Sequence, residues 1–318
     1  MKIAILDDYQ DACRTLDAWT KLAGHDVTVF RDTLKDEDAL VARLKDFEAL
    51  ALIRERTRFT ASLLERLPKL RALSQTGKAG AHIDLAACNK LGIAVLEGSG
   101  SPYATSELTW GLVLAAMRRI PHEVENLKKG GWQQSVGRAL RGRTLGIYGF
   151  GKIGSVVAGY GRAFGMKVQV WGREGSLERA KAAGFEAAAS REALFATSDV
   201  LTIHIRLAPE TQGMVTGRDL ALMKPDAVFV NTSRAELVAP GALAAGLVAG
   251  RPGFAAVDVY EEEPVQGAAH PLLALANAIC TPHLGYVEKD GYELYFGSAF
   301  DNLAAFAKTL PQGKTGGA

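Results

Sequence analysis

Gly149-Phe150-Gly151-Lys152-Ile153-Gly154 constrains the fold more than any other stretch of this chain. It is a G-x-G-x-x-G that ends an apolar run, Thr144–Tyr148, and opens a helical pattern, Lys152–Phe164. In that setting Gly149 allows a tight turn, Gly151 lets a pyrophosphate approach the backbone, and Gly154 lets the helix pack close to the strand. The N-terminus of the helix, at Lys152 and Ile153, then offers N–H groups to the phosphates. A parallel sheet with a dinucleotide at the end of one strand is the predicted outcome.

The rest of the chain agrees with that sheet. Short apolar runs alternate with helical patterns: Ile3–Leu6, Val27–Phe30, Ala49–Ile53, Leu70–Ser74 and Ile93–Leu96 first, then Thr144–Gly149, Val168–Trp171, Val200–His204, Val228–Asn231, Ala255–Asp258 and Ile279–Thr281. Such alternation predicts α/β architecture, and continuous apolar strands predict sheets covered on both faces. A turn-rich stretch, Glu97-Gly98-Ser99-Gly100-Ser101-Pro102, marks one boundary before a long helix expected over Pro102–Arg119, with Ser101 as its N-cap. Residues 311–318 are expected to be a loose tail.

Composition excludes several partner classes. Lys+Arg is 37 against Asp+Glu 35, a net charge of +2 over 318 residues, which gives no electrostatic footprint for nucleic acid or an anionic membrane surface. No apolar run approaches the ~18 residues of a membrane span. Three scattered cysteines, Cys13, Cys88 and Cys280, without a Cys-x-x-Cys, predict reduced thiols, a cytoplasmic setting and no metal site.

The strand after the glycine motif predicts which dinucleotide binds. An Asp or Glu at its end would bond the adenosine ribose of NAD(H). Here Gly172 holds that position and Arg173 follows. Loss of the acid and gain of a guanidinium favour a 2′-phosphate, so NADP(H) is expected, with NAD(H) as the alternative if Glu174 turns inward.

Three further stretches carry a resemblance: Val230-Asn231-Thr232-Ser233-Arg234-Ala235-Glu236-Leu237-Val238, Val257-Asp258-Val259-Tyr260-Glu261-Glu262-Glu263-Pro264, and Thr281-Pro282-His283-Leu284-Gly285. With the glycine motif, Leu207-Ala208-Pro209-Glu210-Thr211 and His270-Pro271-Leu272, their order and spacing resemble the D-isomer-specific 2-hydroxyacid dehydrogenases over nearly the whole chain. The resemblance implies a Rossmann-type doubly wound parallel sheet inserted into a second, flavodoxin-like α/β substrate domain. The expected division is 1–98 plus 285–318 for the substrate domain and 99–284 for the dinucleotide domain. It implies hydride transfer between a nicotinamide dinucleotide and a D-2-hydroxy acid/2-oxo acid pair of the glyoxylate, hydroxypyruvate or 3-phosphoglycerate type. Catalytic roles fall on Arg234, Glu263 and His283. Thr232, Ser233, Arg234, Asp258, His283 and Gly285 join the glycine motif, Gly172 and Arg173 on the cofactor side.

The chemistry makes independent sense. Reducing a 2-oxo acid needs a proton delivered to the carbonyl oxygen, and a His with a carboxylate partner can supply and recover it. An Arg fork suits the substrate carboxylate and the charge that develops on the carbonyl oxygen. His204 reads as a hydrogen-bonding strand-end residue, and Arg206 as a loop charge or a second cation near the cofactor.

On the substrate side the resemblance points to Thr76-Gly77-Lys78-Ala79-Gly80-Ala81-His82-Ile83-Asp84, where Lys78, Ala79 and Ala81-His82 depart from the usual residues. Arg54, Gly77, Lys78, Ala79 and Arg234 are the substrate candidates, Arg54 and Arg56 resembling a pair found in 3-phosphoglycerate-oxidising members. The family also implies a homodimer. A dinucleotide-sensing, co-repressor-like binding protein of the same fold is the alternative function.

Overall fold

The computed structural model describes residues 1–310, so the expected tail, 311–318, lies outside the described residues. The chain forms two compact units: Met1–Ser101 with the segment from Val287 onward, and Pro102–Tyr286.

The first unit is built on five parallel strands, β1 (Lys2–Ile5), β2 (Asp26–Val29), β3 (Ala49–Leu52), β4 (Ala72–Gln75) and β5 (Ala94–Glu97), in the order β2-β1-β3-β4-β5. Helices α1 (Glu37–Leu44), α2 (Ala61–Glu65) and α3 (Leu85–Leu91) begin where Asp36, Thr60 and Asp84 accept hydrogen bonds from Ala39, Leu63 and Ala87 N–H. Leu40, Leu44, Leu63 and Leu64 pack with Leu50 and Leu73 in one core. Strand order reverses between β1 and β3, so the crevice at their C-terminal ends is where this topology admits a ligand.

The second unit opens with α4 (Tyr103–Arg118) and α5 (Ile120–Lys128) and continues β6 (Thr144–Tyr148), α6 (Lys152–Ala163), β7 (Lys167–Trp171), α7 (Glu174–Ala182), β8 (Glu186–Ala187), α8 (Arg191–Thr197), β9 (Val200–Ile203), α9 (Gly217–Leu222), β10 (Val228–Asn231), α10 (Ala242–Val248), β11 (Phe254–Val257) and β12 (Ala278–Cys280). Its sheet runs β12-β11-β10-β9-β6-β7-β8, all parallel. This is the doubly wound Rossmann order with one added strand, and its switch point lies between β6 and β9. Trp110 of α4 packs on the Tyr160 ring of α6 and on Phe164 just after it, with centroids 6.1 and 4.9 Å apart. The last helix, α11 (Lys289–Thr309), belongs to the first unit, where its Ala299 carbonyl accepts from Ser74 Oγ.

One local expectation needs correction. Ser101 does not cap α4: Pro102 occupies the cap position at φ −79°, ψ −16°, with no side-chain cap bond, and its carbonyl accepts from Ser106 N–H. Because the Pro102 carbonyl accepts the first intrahelical bond, Pro102 is itself the cap and α4 begins at Tyr103. Arg119 turns left-handed at φ 58° and α5 follows, with Pro121 in its first turn. A proline there costs no hydrogen bond, because the first N–H groups of a helix have no intrahelical partner.

Candidate functional site

The glycine motif sits at the switch point of the second sheet. Gly149 follows β6 at φ 98°, and a Cβ there would meet the His204 carbonyl oxygen at 2.6 Å. A Cβ on Gly154 would collide with the Gly149 carbonyl oxygen. Around Gly151 there is open space, and as the N-cap of α6 it has no side chain to compete for the first N–H groups. The motif thus closes strand, turn and helix together while leaving the helix N-terminus open to an anion. A cleft of about 740 Å³ lies there, walled by Tyr148–Gly151, Trp171–Arg173, Ser176, Arg179 and the segment His204–Thr211. Its shape and its bare N–H groups fit a dinucleotide.

The end of this cleft beyond β7 carries a third cation beside Arg173 and Arg206. Arg173, Arg179 and Arg206 line it with one acid, Glu210, whose Oε1 lies 3.1 Å from Arg173 Nη2. Arg179 donates through Nη2 to the Phe150 carbonyl and to Ser176 Oγ, both at 3.2 Å. Glu174 lines a different surface groove, with Leu177 and Lys181. Ser176 and Arg179 were missed, although they lie three and six residues after Arg173, on successive turns of one helix face. His204, at the end of β9, bonds Thr202 Oγ1 through Nε2 at 3.1 Å, and burial pushes its imidazole down to about 3. It is therefore neutral at working pH and serves as a hydrogen-bonding group.

Asn231 shapes the turn after β10. Its side-chain N–H donates to the Arg234 carbonyl at 2.9 Å and its Oδ1 accepts from Ser233 N–H at 3.0 Å. Ser233 Oγ donates to the Ile205 carbonyl, and Thr232 Oγ1 meets Thr109 Oγ1 of α4 at 2.7 Å. The Asn-Thr-Ser run is thus a clamp that fixes where Arg234 starts. The Arg234 side chain is anchored by Nη1 on the Ser233 carbonyl at 2.8 Å.

Asp258 organises the loop that carries the histidine. Fully buried, it accepts from Thr281 Oγ1 at 2.6 Å and Leu284 N–H at 2.7 Å on one oxygen, and from Gly285 N–H at 2.8 Å on the other. Burial raises its carboxyl above the usual range, opposed by those hydrogen bonds and by the nearby His283. A Cβ on Gly285 would sit 3.2 Å from Asp258 Oδ2. Inside this loop His283 adopts φ 53°, a left-handed state that a non-glycine residue keeps only where its surroundings impose it. Glu263 completes the arrangement: Oε1 accepts from Tyr260 N–H at 3.0 Å, and Oε2 lies 2.6 Å from His283 Nδ1. The Tyr286 ring stands edge-on to the imidazole, 5.4 Å between centroids.

In the first unit, Arg54 follows β3 at φ 53° and Gly77 follows β4 at φ 132°. A Cβ on Gly77 would lie 3.2 Å from Arg54 Nη1, so the guanidinium lies flush against the glycine. Lys78 is engaged elsewhere: its Nζ is 2.7 Å from Glu97 Oε2, and Ala79 N–H donates to the other oxygen at 3.0 Å. Of the four candidates here, the structure joins Arg54 to Gly77 and ties Lys78 and Ala79 to Glu97. A group of metal-ligand type, Asp8, Asp11 and Cys13, is also present. Asp8 there caps the following turn, accepting from Ala12 and Cys13 N–H. No helix among the described residues is long and apolar enough to cross a membrane.

Comparison with known proteins accounts for these features together. The family model for the D-isomer specific 2-hydroxyacid dehydrogenase NAD binding domain matches residues 110–285. A glyoxylate reductase from Aeropyrum pernix is 34% identical over 316 residues, covering 96% of this chain and 89% of that protein. A D-3-phosphoglycerate dehydrogenase from Methanocaldococcus jannaschii is 35% identical over 289 residues, covering 90% of this chain and 53% of that one, so the chain spans about half its length. The crystal structure of a phosphoglycerate oxidoreductase from Vibrio cholerae O395 superposes with a TM-score of 0.95 at 54% identity, over 98% of this chain and all of that one. The chain therefore belongs to the D-isomer specific 2-hydroxyacid dehydrogenases, oxidoreductases that pass a hydride between a nicotinamide dinucleotide and a 2-hydroxy acid/2-oxo acid pair.

Proposed function

We propose that this protein reduces a small 2-oxo acid, of the glyoxylate, hydroxypyruvate or 3-phosphohydroxypyruvate type, with NADPH as the preferred donor. The observation that carries the reading is the 2.6 Å contact between His283 Nδ1 and Glu263 Oε2. That contact assigns the Nδ1 proton, as a donor to the carboxylate, and leaves Nε2 as the nitrogen that exchanges a proton with substrate. When bound, a nicotinamide dinucleotide supplies the hydride. His283 gives its proton to the carbonyl oxygen as charge develops there, and Glu263 stabilises the protonated ring and holds its orientation. Arg234 faces the substrate carboxylate and the same oxygen. Asp258 positions the loop between Thr281 and Gly285, and its place beside the nicotinamide amide belongs to the same reading. In the first unit Arg54, with the Gly77 turn, binds the substrate's anionic group.

Three cations against one acid at the adenosine end of the cleft support NADPH over NADH. The co-repressor-like alternative is not favoured, since the relatives are named as a reductase and dehydrogenases. Initial rates with the three 2-oxo acids, each with NADPH and NADH, test the proposal. Turnover of at least one acid is expected, and none with any pair would overturn it.

The same reading includes a homodimer. Its support is an apolar surface on α5 and the segment after it: Val124, Leu127, Trp132 and Val136 are exposed, Val136 by 94%. Light scattering at micromolar concentration is expected to give twice the chain mass, and Leu127→Glu to lower it. A monomer mass for the parent would count against the dimer.

A further inference from the structure

The departure from family pattern at Ala81-His82 has a structural correlate in the way Arg54 is held. Arg54 sits in a left-handed conformation and its N–H donates to Thr76 Oγ1 at 3.2 Å. Its carbonyl accepts from Gln75 Nε2 at 2.6 Å. Thr76 Oγ1 donates in turn to the Leu52 carbonyl at 2.9 Å. Behind Gln75 stands His82, with Nε2 3.2 Å from Gln75 Oε1. Gln75, Thr76 and His82 are all buried, at 1%, 2% and 7% exposure.

The direction of each bond follows from the groups. A carbonyl can only accept, so Gln75 must present its NH2 to Arg54 and its oxygen to His82. An oxygen needs a donor, so His82 carries a proton on Nε2. The chain of donation runs His82 to Gln75 to the Arg54 carbonyl. It ends on a backbone that is strained for a residue with a Cβ, and such strain persists only where neighbours over-determine it. The guanidinium so aimed lies against Gly77 on one side and 5.8 Å from the Tyr295 ring centre on another. With Lys78 held by Glu97, the aim of Arg54 governs how much positive charge an anion meets at the Gly77 turn.

We propose that His82 and Gln75 are positioning residues that hold Arg54 in its left-handed conformation and thereby set the affinity for the substrate's anionic group. The inference rests on the reading that Arg54 binds that group. Steady-state kinetics with hydroxypyruvate at saturating cofactor test it in the full chain, alongside the dissociation constant of the dinucleotide from fluorescence titration. His82→Phe removes the donor and is expected to raise KM about three- to tenfold, the size of one lost buried hydrogen bond, with kcat and cofactor affinity within about twofold. Gln75→Met should do the same. His82→Gln keeps an N–H donor and should restore most of the parent KM. Added to Arg54→Lys, His82→Phe should cost little more, because the two act through one group.

A raised KM in Arg54→Lys with an unchanged KM in His82→Phe and Gln75→Met overturns the relay and leaves the role of Arg54 standing. An unchanged KM in Arg54→Lys removes the underlying reading and the relay with it. Should His82→Phe fail to fold, His82→Gln and Gln75→Met decide between these outcomes. Equal losses of KM and cofactor affinity in both would mark a structural role and also overturn the proposal.

Discussion

The two parallel sheets share one topological rule and apply it in opposite ways. At the switch point of the second sheet, glycine empties the crevice: Gly149 and Gly154 let backbone approach backbone, and Gly151 faces open space. At the switch point of the first sheet, side chains fill it. Asp7, just past β1, turns left-handed at φ 64° and accepts from Thr57 Oγ1 at 2.8 Å and Thr33 Oγ1 at 2.5 Å. Burial raises its carboxyl above the usual range, partly offset by these bonds and by Arg56. Arg54 and Gly77 lie beyond the next two strands. An emptied crevice suits a long, flat dinucleotide, whereas the first crevice is crowded by the Asp7, Thr33 and Thr57 side chains. The same architecture can serve both purposes because the ends of the strands, not the sheet, decide what enters.

The sharpest way to break this contrast is to ask which kinetic constant each region controls. His283→Gln should lower kcat by about 10²- to 10⁴-fold, the usual contribution of a positioned acid/base, with a far smaller change in dinucleotide affinity. Arg54→Lys should act mainly on KM, because a point charge replaces a fork. Stopped-flow single turnovers and fluorescence titration separate the two constants. If His283→Gln loses cofactor affinity while keeping the parent kcat, the histidine is a binding group and not the acid/base, and the contrast between the regions fails.

A smaller effect sharpens the role of Glu263. Its carboxylate stabilises the protonated imidazole at 2.6 Å, so Glu263→Gln should move the alkaline limit of reductive kcat/KM to lower pH. The rate at the optimum should fall by about tenfold as ring orientation loosens. His204 is the internal control. Burial holds it at about 3, so it does not titrate across the assay range and His204→Gln should keep the parent profile. An unchanged profile in Glu263→Gln would remove the pairing from the mechanism.

How much of this was legible in the sequence depended on whether the information was local. The turn at Gly149 to Gly154 and the family match to Glu263 and His283 rest on short motifs whose residue types admit few alternatives. The N-cap expected at Ser101 failed, because both Ser101 and Pro102 suit a helix start and only the backbone angles decide between them. The two-residue β8 has too few residues to show a period. The Lys78–Glu97 pair was hidden for another reason. It depends on register, because Gln75 of β4 pairs with Glu97 of β5 and brings the carboxylate beside residues 78 and 79. Arg54's conformation and the contacts that impose it are likewise long-range in sequence, and no pattern within β3 announces them.

The smallest predicted effect concerns the cation-rich end of the cleft, where NADPH and NADH differ by a single phosphate. Gly172 removes the carboxylate that would repel it, and Arg173 stands at the rim, 78% exposed in its side chain. Its partner there is Glu210, held below the usual carboxylate range by its own backbone N–H and by Arg173, so the pair is ionised at neutral pH. A 2′-phosphate must compete with that carboxylate, and solvent screens the contact, so Arg173→Ala should weaken NADPH binding by only about three- to tenfold and leave NADH nearly untouched. Arg179 and Arg206 remain in the cleft and keep part of the preference. Gly172→Asp is the complementary change. Its new Cβ would lie 3.2 Å from Ser176 Cβ, a crowding that both cofactors meet alike, so the informative quantity is the ratio of kcat/KM for NADPH to that for NADH. That ratio should fall in Gly172→Asp by more than in Arg173→Ala, since one change adds repulsion and the other only removes attraction. A parent that favours NADH, or a ratio unmoved in both variants, would show that the three arginines serve the protein surface and not the phosphate.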